Sequence, residues 1–243
     1  ICSFDSEVII PSLDNTYLIN DTVYSKGPSS CGYSFFKYFL KKNKNIKSIL
    51  DIGCGNGVLM KLINKDIDYH GVDADAGIYK KKIHKKLKYF KNAIQTENYL
   101  NKIKTKYECV VLMDVLEHTD SFLKLFNIAL KRSNKYVLVG LPNEDYIMSR
   151  FRFLFGGGVL THGLEMINTK PGHKHQWFIQ YKTAYSLLEK NCKKKNFNLL
   201  NRMFYVNQPK NFIKRFIYKI MLLFLPKTLQ MNNFCLIFKK KSN

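Results

Sequence analysis

Apolar positions along the chain alternate between short continuous runs and helical stripes. The run that opens at Ile49, and those at Asp68–Val72, Leu87–Lys91, Cys109–Met113 and Tyr136–Leu141, have the length of buried strands. Asn198–Val206 and Asn233–Phe238 read as two more, and Glu7–Ile10 is a short strand-like run in an otherwise irregular lead-in over residues 1–30. Between them fall helical patterns: Tyr33–Lys42, a short helix at Met60–Asn64, a Lys-rich one over Gly77–Lys88, and one holding Phe178, Tyr181, Tyr185 and Leu188. Phe122, Leu125, Phe126, Ala129 and Leu130 share one face of a further helix, capped by Asp120 or Ser121, that packs on the sheet. Strand–helix–strand units of this kind predict an α/β domain.

The first strong strand runs into ILDIGCGNGVL, where glycine recurs at Gly53, Gly55 and Gly57 behind the acidic Asp51. Strand, glycine turn and helix start place bare main chain where a ligand can approach it closely. The spacing is not that of a dinucleotide fingerprint, because the third glycine arrives one position early and Val58 stands where glycine is needed. A phosphate-binding P-loop is excluded because no Gly-Lys-Ser/Thr follows. An acidic residue, Asp73, closes the second strand, where one carboxylate can accept from both hydroxyls of a ribose. Asp75 reads instead as the cap of the next helix. The fourth strand runs into DVLEHTD, Asp114 to Asp120.

The glycine stretch resembles motif I of the class I S-adenosylmethionine-dependent methyltransferases, and D-V-L-E-H resembles the segment after the fourth strand in their small-molecule and glycan-modifying branch. The resemblance covers about residues 30–240 and implies a doubly wound, Rossmann-like, seven-stranded and largely parallel sheet with helices on both faces. It implies one methyltransferase domain over residues 31–243, with S-adenosylmethionine as cofactor. Asp51, Gly53, Cys54, Gly55 and Gly57 would hold its methionine end, and Asp73 with Ala74 its ribose. Asn92-Ala93, where relatives often place Asp-Ala, would meet the adenine through the amide oxygen, and Asp114 and Val115 would line the opposite wall. The helix at Tyr33–Lys42 stands where relatives close over the cofactor, and core packing is an equal reading of it.

Residues 145–176 form an irregular insertion beyond the fifth strand, with Gly156-Gly157-Gly158, Arg150, Arg152 and three histidines, His162, His173 and His175. The carboxyl ends of α/β strands are where substrates bind, so this insertion reads as a substrate lid. Methyl transfer to a hydroxyl needs alignment and a base. His118, by its place after the fourth strand, and His173 and His175 of the lid are the candidate catalytic residues. Each has a structural alternative as a histidine bonded to backbone. Glu117-His118 with GHKHQW also resembles the magnesium pattern of small-RNA 2′-O-methyltransferases and the Glu-Glu-His cluster of ubiquinone-biosynthesis enzymes. In that reading Asp114 and His173 complete the set, and the magnesium site ranks behind a metal-free mechanism. No Asp/Asn-Pro-Pro-Tyr/Phe and no Pro-Cys follows the fourth strand, which argues against amino-group methylation of DNA bases and against cytosine carbon methylation.

Composition changes the picture in two places. The net charge of +22, from 40 basic and 18 acidic residues, invites a nucleic-acid partner, but Arg is confined to positions 132, 150, 152, 202 and 215. Lysine excess without the forked guanidinium fits a solvated basic surface better than specific reading. The resemblance to glycan-modifying relatives, which share the insertion after the fifth strand, the lid histidines and the helix before the last strand, implies as acceptor a hydroxyl of a small molecule, sugar or lipid-linked glycan, followed by an RNA 2′-hydroxyl and, third, a non-catalytic scaffold role. The second place is residues 211–225, where Phe212, Phe216, Ile220, Leu223 and Phe224 share one side of a helix and Lys210, Lys214, Arg215 and Lys219 the other. This helix either packs on the domain or lies on a membrane surface with basic residues snorkelling. Six scattered cysteines without C-x-x-C spacing read as buried thiols. No signal-peptide pattern opens the chain, which begins at Ile1, and the expected location is the cytoplasm, with peripheral contact to the inner face of the membrane.

Overall fold

The computed structural model describes residues 7–11, 31–74, 85–157, 175–206, 212, 213, 216, 220 and 223–241. Its strands are β1 (Glu7–Pro11), β2 (Ser48–Ile52), β3 (Asp68–Asp73), β4 (Leu87–Tyr89), β5 (Tyr107–Met113), β6 (Ser133–Pro142), β7 (Phe197–Val206) and β8 (Asn233–Lys240). They form one sheet in the order β1-β7-β8-β6-β5-β2-β3-β4. Every pairing is parallel except those of β8, which runs antiparallel to β6 and β7. Strands β2 to β8 are the expected seven. The lead-in adds an eighth at the edge, in register along β7 from Glu7 opposite Arg202 to Pro11 opposite Val206.

The chain builds outward from β2 to β4 and then returns to build the other half from β5. The crevice at this reversal opens beyond the carboxyl ends of β2 and β5, and the site is expected there.

The helices are α1 (Cys31–Lys42), α2 (Ala93–Lys102), α3 (Phe122–Arg132), α4 (Ile147–Leu154), α5 (Tyr181–Lys193) and α6 (Lys227–Gln230). Alternate strand residues feed two cores. Ile49, Cys109, Val111, Leu138 and Ile237 pack with Phe35, Phe36 and Phe39 of α1. Leu50, Val110, Leu112, Val137 and Val139 pack with Phe126 and Ala129 of α3 and Ala184 and Leu188 of α5. With both faces covered, the strands carry the near-continuous apolar runs seen in the sequence. Cys31, Cys54, Cys109, Cys192 and Cys235 are buried, and burial pushes the thiols of Cys109 and Cys235 well above their usual pKa.

The structure departs from the sequence reading at four places. The helix expected at Met60–Asn64 is a single 3-10 turn, Val58–Leu62, entered from the left-handed Gly57 and closed where the extended Ile63 donates its N–H to Met60 O. Helix α2 was not expected. It buries only Thr96, Glu97 and Leu100 and is held instead by a cap, Asn92 Oδ1 accepting from Gln95 N at 2.9 Å, and by the Lys124–Glu97 ion pair to α3 at 2.5 Å. Part of the insertion is regular, forming α4 with none of its side chains buried. Phe178 is exposed and precedes α5, whose packed face starts at Tyr181. Residues 75–84, including Asp75 and most of the helix expected over Gly77–Lys88, and residues 158–174, with His162 and His173, lie outside the described residues.

Candidate active site

The first half of the site is made by the turn after β2. Gly53, Gly55 and Gly57 have φ of 73°, 53° and 76°, the left-handed region that a side chain disfavours. A Cβ on Gly53 would sit 2.4 Å from Val115 Cγ2 and one on Gly57 2.7 Å from Leu87 Cδ1, so the turn is wedged between the tip of β5 and β4. The turn is tied to β3 by Gly53 N and Cys54 N, which donate to Val72 O at 2.7 and 3.1 Å. Asp73, the last residue of β3, accepts from Gly55 N through Oδ2 at 2.7 Å, and Tyr89 Oη donates to Gly55 O at 3.0 Å. Beneath the turn Asp51 is fully buried and accepts from Tyr69 Oη at 2.6 Å. Burial, with the Asp51 carboxylate adding to it, pushes the Tyr69 pKa well above its usual value, so the phenol stays a neutral donor.

Asp51, Gly53, Cys54, Gly55, Gly57, Asp73, Ala74, Asp114 and Val115 are thus all placed at the carboxyl ends of β2, β3 and β5. Asp114 takes φ 53° and donates its N–H to Gly140 O at 3.1 Å. Helix α1 approaches the same tip: a Cβ on its Gly32 would lie 3.2 Å from Asp114 Oδ2. Asn92 and Ala93 are exposed, and the Asn92 oxygen expected to face a base caps α2 instead.

The second half is assembled from three separate segments. His118 ends the 3-10 turn Leu116–His118 beyond β5, Glu144 follows β6, and His175 precedes α5. His175 Nδ1 lies 3.0 Å from Glu144 Oε1, and the His118 and His175 rings meet edge to face with centroids 4.9 Å apart. Buried Glu117 places Oε1 4.0 Å from His118 Nε2. The segment carrying His175 is clipped in place from both sides. Gln176 N donates to Glu117 O at 2.7 Å, Trp177 Nε1 donates to Thr119 O at 2.6 Å, and Glu144 N donates to Ile179 O at 2.8 Å.

One ligand atom each from Glu117, His118 and His175 falls within 4.8 Å of the others, so these three could converge on a divalent cation. Among the described residues the second histidine of the cluster is His175; His173, which the metal reading of the sequence had named, lies outside them. Sequence reasoning missed Tyr69, Tyr89 and Glu144. For Glu144 a signal was present, an acidic residue directly past the Pro142-Asn143 end of a strand.

A largely parallel sheet with this strand order, a triple-glycine turn after its first central strand and a carboxylate closing the next defines the class I methyltransferase fold. A family model described as "Methyltransferase domain" matches residues 31–199, and the chain belongs to that family. Protein 235L of Invertebrate iridescent virus 6, named as a methyltransferase, is 29% identical over 144 residues, 53% of this chain and 51% of that protein. The chain therefore spans about half the length of this curated relative. Among solved structures, a SAM-dependent methyltransferase from Archaeoglobus fulgidus superposes with a TM-score of 0.58 at 18% identity, covering 85% of this chain and 94% of that one. Magnesium protoporphyrin IX methyltransferase from Synechocystis PCC 6803, with bound SAH, gives 0.53 at 11% identity over 90% and 91% of the two chains. At these identities the likeness establishes the fold.

Proposed function

We propose that the chain is an S-adenosylmethionine-dependent O-methyltransferase acting on a hydroxyl of a small molecule, sugar or lipid-linked glycan. The observation that carries this reading is the His175–Glu144 contact of 3.0 Å with His118 against it, at the sheet edge that also holds the glycine turn and Asp73. When bound, the cofactor supplies a sulfonium methyl group whose C–S electron pair returns to sulfur on transfer. The Gly53–Gly57 main chain would receive the methionine end, where no Cβ holds it away, and Asp73 would turn its carboxylate from Gly55 N to the ribose hydroxyls. Val115, pressed on Gly53, supplies an apolar wall.

His175 would take the proton of the acceptor hydroxyl at Nε2, and Glu144, at Nδ1, would fix the ring and stabilise the imidazolium. His118, whose ring meets His175 edge to face, would flank the same acceptor. Convergence of Glu117, His118 and His175 also favours a second reading, in which these three would hold a divalent cation that would lower the pKa of the acceptor hydroxyl in place of a base.

The test is calorimetric titration with S-adenosylmethionine and S-adenosylhomocysteine, with and without magnesium or zinc, followed by a screen of glycan and RNA acceptors. Cofactor binding without metal, then methyl transfer to a glycan hydroxyl, is the expected result. Transfer that appears only with added metal selects the second reading, and a folded protein that binds neither compound overturns both.

A further inference from the structure

The end of the sheet that carries the site also carries an apolar surface with no use in the mechanism. Between β7 and β8 the described positions Phe212, Ile213, Phe216, Ile220 and Leu223 are helical. At 3.6 residues per turn these positions and Phe224 fall within about a third of the helix circumference. An ordinary surface helix turns such a stripe inward. Here the stripe faces outward: Phe212 and Leu223 are each 80% exposed and Phe224 83%. Helix α4 adds further exposed apolar side chains, Phe151, Phe153, Leu154 and the following Phe155, around Arg150 and Arg152.

Topology brings the two together. Strands β7, β8 and β6 are neighbours, so the link from the end of β7 to the start of β8 and the link leaving the end of β6 share one edge. They are stitched there: Asn143 Nδ2, just past β6, donates to Thr228 O at 2.7 Å and Met231 O at 2.9 Å. The carboxyl ends of β2, β3 and β5 face the same way, so this surface flanks the mouth of the site.

We propose that this edge docks on an anionic phospholipid bilayer. Charge selects lipid over a protein partner. No Asp or Glu follows Glu189, while Lys210, Lys214, Arg215, Lys219 and Lys227 are interleaved with the apolar stripe or adjoin it. Protein interfaces are depleted in lysine, whereas an anionic leaflet attracts it, each basic side chain near the surface adding a factor of roughly five to binding. Large aromatic and aliphatic side chains rimmed by lysines are the pattern of a helix lying in the headgroup plane. Among the described residues no helix is long and apolar enough to cross a membrane, which suits contact from one side. If the proposed methyltransferase activity holds, the acceptor is a lipid-anchored hydroxyl presented to the site at the bilayer surface.

The experiment is co-sedimentation of the full chain with phosphatidylcholine vesicles, with and without phosphatidylglycerol, in low and high salt. The expected result is partition onto the anionic vesicles that weakens with salt. Phe216→Glu with Leu223→Glu should lower it by about a hundredfold, at roughly tenfold per buried side chain. Both side chains are exposed, so the variant keeps the melting temperature and the S-adenosylhomocysteine titration of the parent. A conservative Phe224→Trp variant gives a second readout, because brominated lipid quenches the added emission when the face is immersed. Equal partition of the parent and the double variant, or absence of partition and quenching in a folded sample, overturns the proposal. So does a dimer that the double variant dissociates without any lipid binding. Partition in a protein that binds no cofactor leaves the docking surface standing and removes the methyltransferase reading instead.

Discussion

The two halves of the site occupy one sheet edge and are built by opposite means. The cofactor half is local and made of main chain: everything from Asp51 to Asp73 belongs to one strand–turn–strand unit, with three left-handed glycines setting its path. The proposed acceptor half is non-local and made of side chains, with Glu144, His175 and His118 contributed by three segments held together by clips such as Trp177 to Thr119. The contrast teaches where each kind of change should register. Damage to the first half strains the fold and the cofactor pocket together, whereas damage to the second should slow chemistry and leave both intact.

The largest expected effect tests that separation directly. His175→Ala removes the proposed base, and kcat should fall by about 10²–10⁴ while S-adenosylhomocysteine affinity stays at the parent value. A parallel loss of affinity would mean that the halves are not independent.

Next comes Gly53→Ala. Its Cβ meets Val115 at 2.4 Å, and φ stays at 73°. Overpacking costs about 1–3 kcal/mol and the left-handed conformation about 1–2 kcal/mol, so the melting temperature and cofactor affinity should drop together. Adding Val115→Ala should return the packing part and leave the backbone part, which a double-mutant cycle resolves. Full recovery would show that the glycine is needed for space alone. Smaller again is Glu144→Gln, which keeps an acceptor near His175 Nδ1 but removes the charge that stabilises the imidazolium. Steady-state kinetics should show kcat lower by about tenfold, the ~1.4 kcal/mol by which a charge-assisted hydrogen bond exceeds a neutral one, with unchanged KM for the cofactor.

The same contrast explains what was legible in the sequence. The glycine turn, Asp73 and the D-V-L-E-H turn could be read because each is a short stretch whose spacing has one conformational solution, and the strand runs could be read because both faces of the sheet are covered. The Glu144–His175 pair could not, since nothing in the local pattern at either residue records a partner 31 positions away. Helix α2 escaped for a related reason: a cap and a cross-helix ion pair hold it in place of an apolar stripe, so its period carries little signal. The positions Phe212, Phe216, Ile220, Leu223 and Phe224 were legible as one apolar side, but only the exposure of Phe212, Leu223 and Phe224 tells an outward face from a packed one.

Asn92 is where the two kinds of reading meet, and its expected effect is the smallest. Read as a motif position, its oxygen belongs to an adenine. In the fold that oxygen accepts from Gln95 N at 2.9 Å and starts α2. Replacing it with alanine should cost about 1 kcal/mol of stability, the usual worth of an N-cap, or roughly 2–4 °C in melting temperature for a chain of this size. Asn92→Asp keeps a capping oxygen and should restore the melting temperature. If the cap is its whole role, S-adenosylhomocysteine affinity is the same in the parent and both variants. If the oxygen also serves the cofactor, alanine weakens binding beyond its effect on stability while aspartate does not, and the cofactor half of the site extends past β4 to the start of α2.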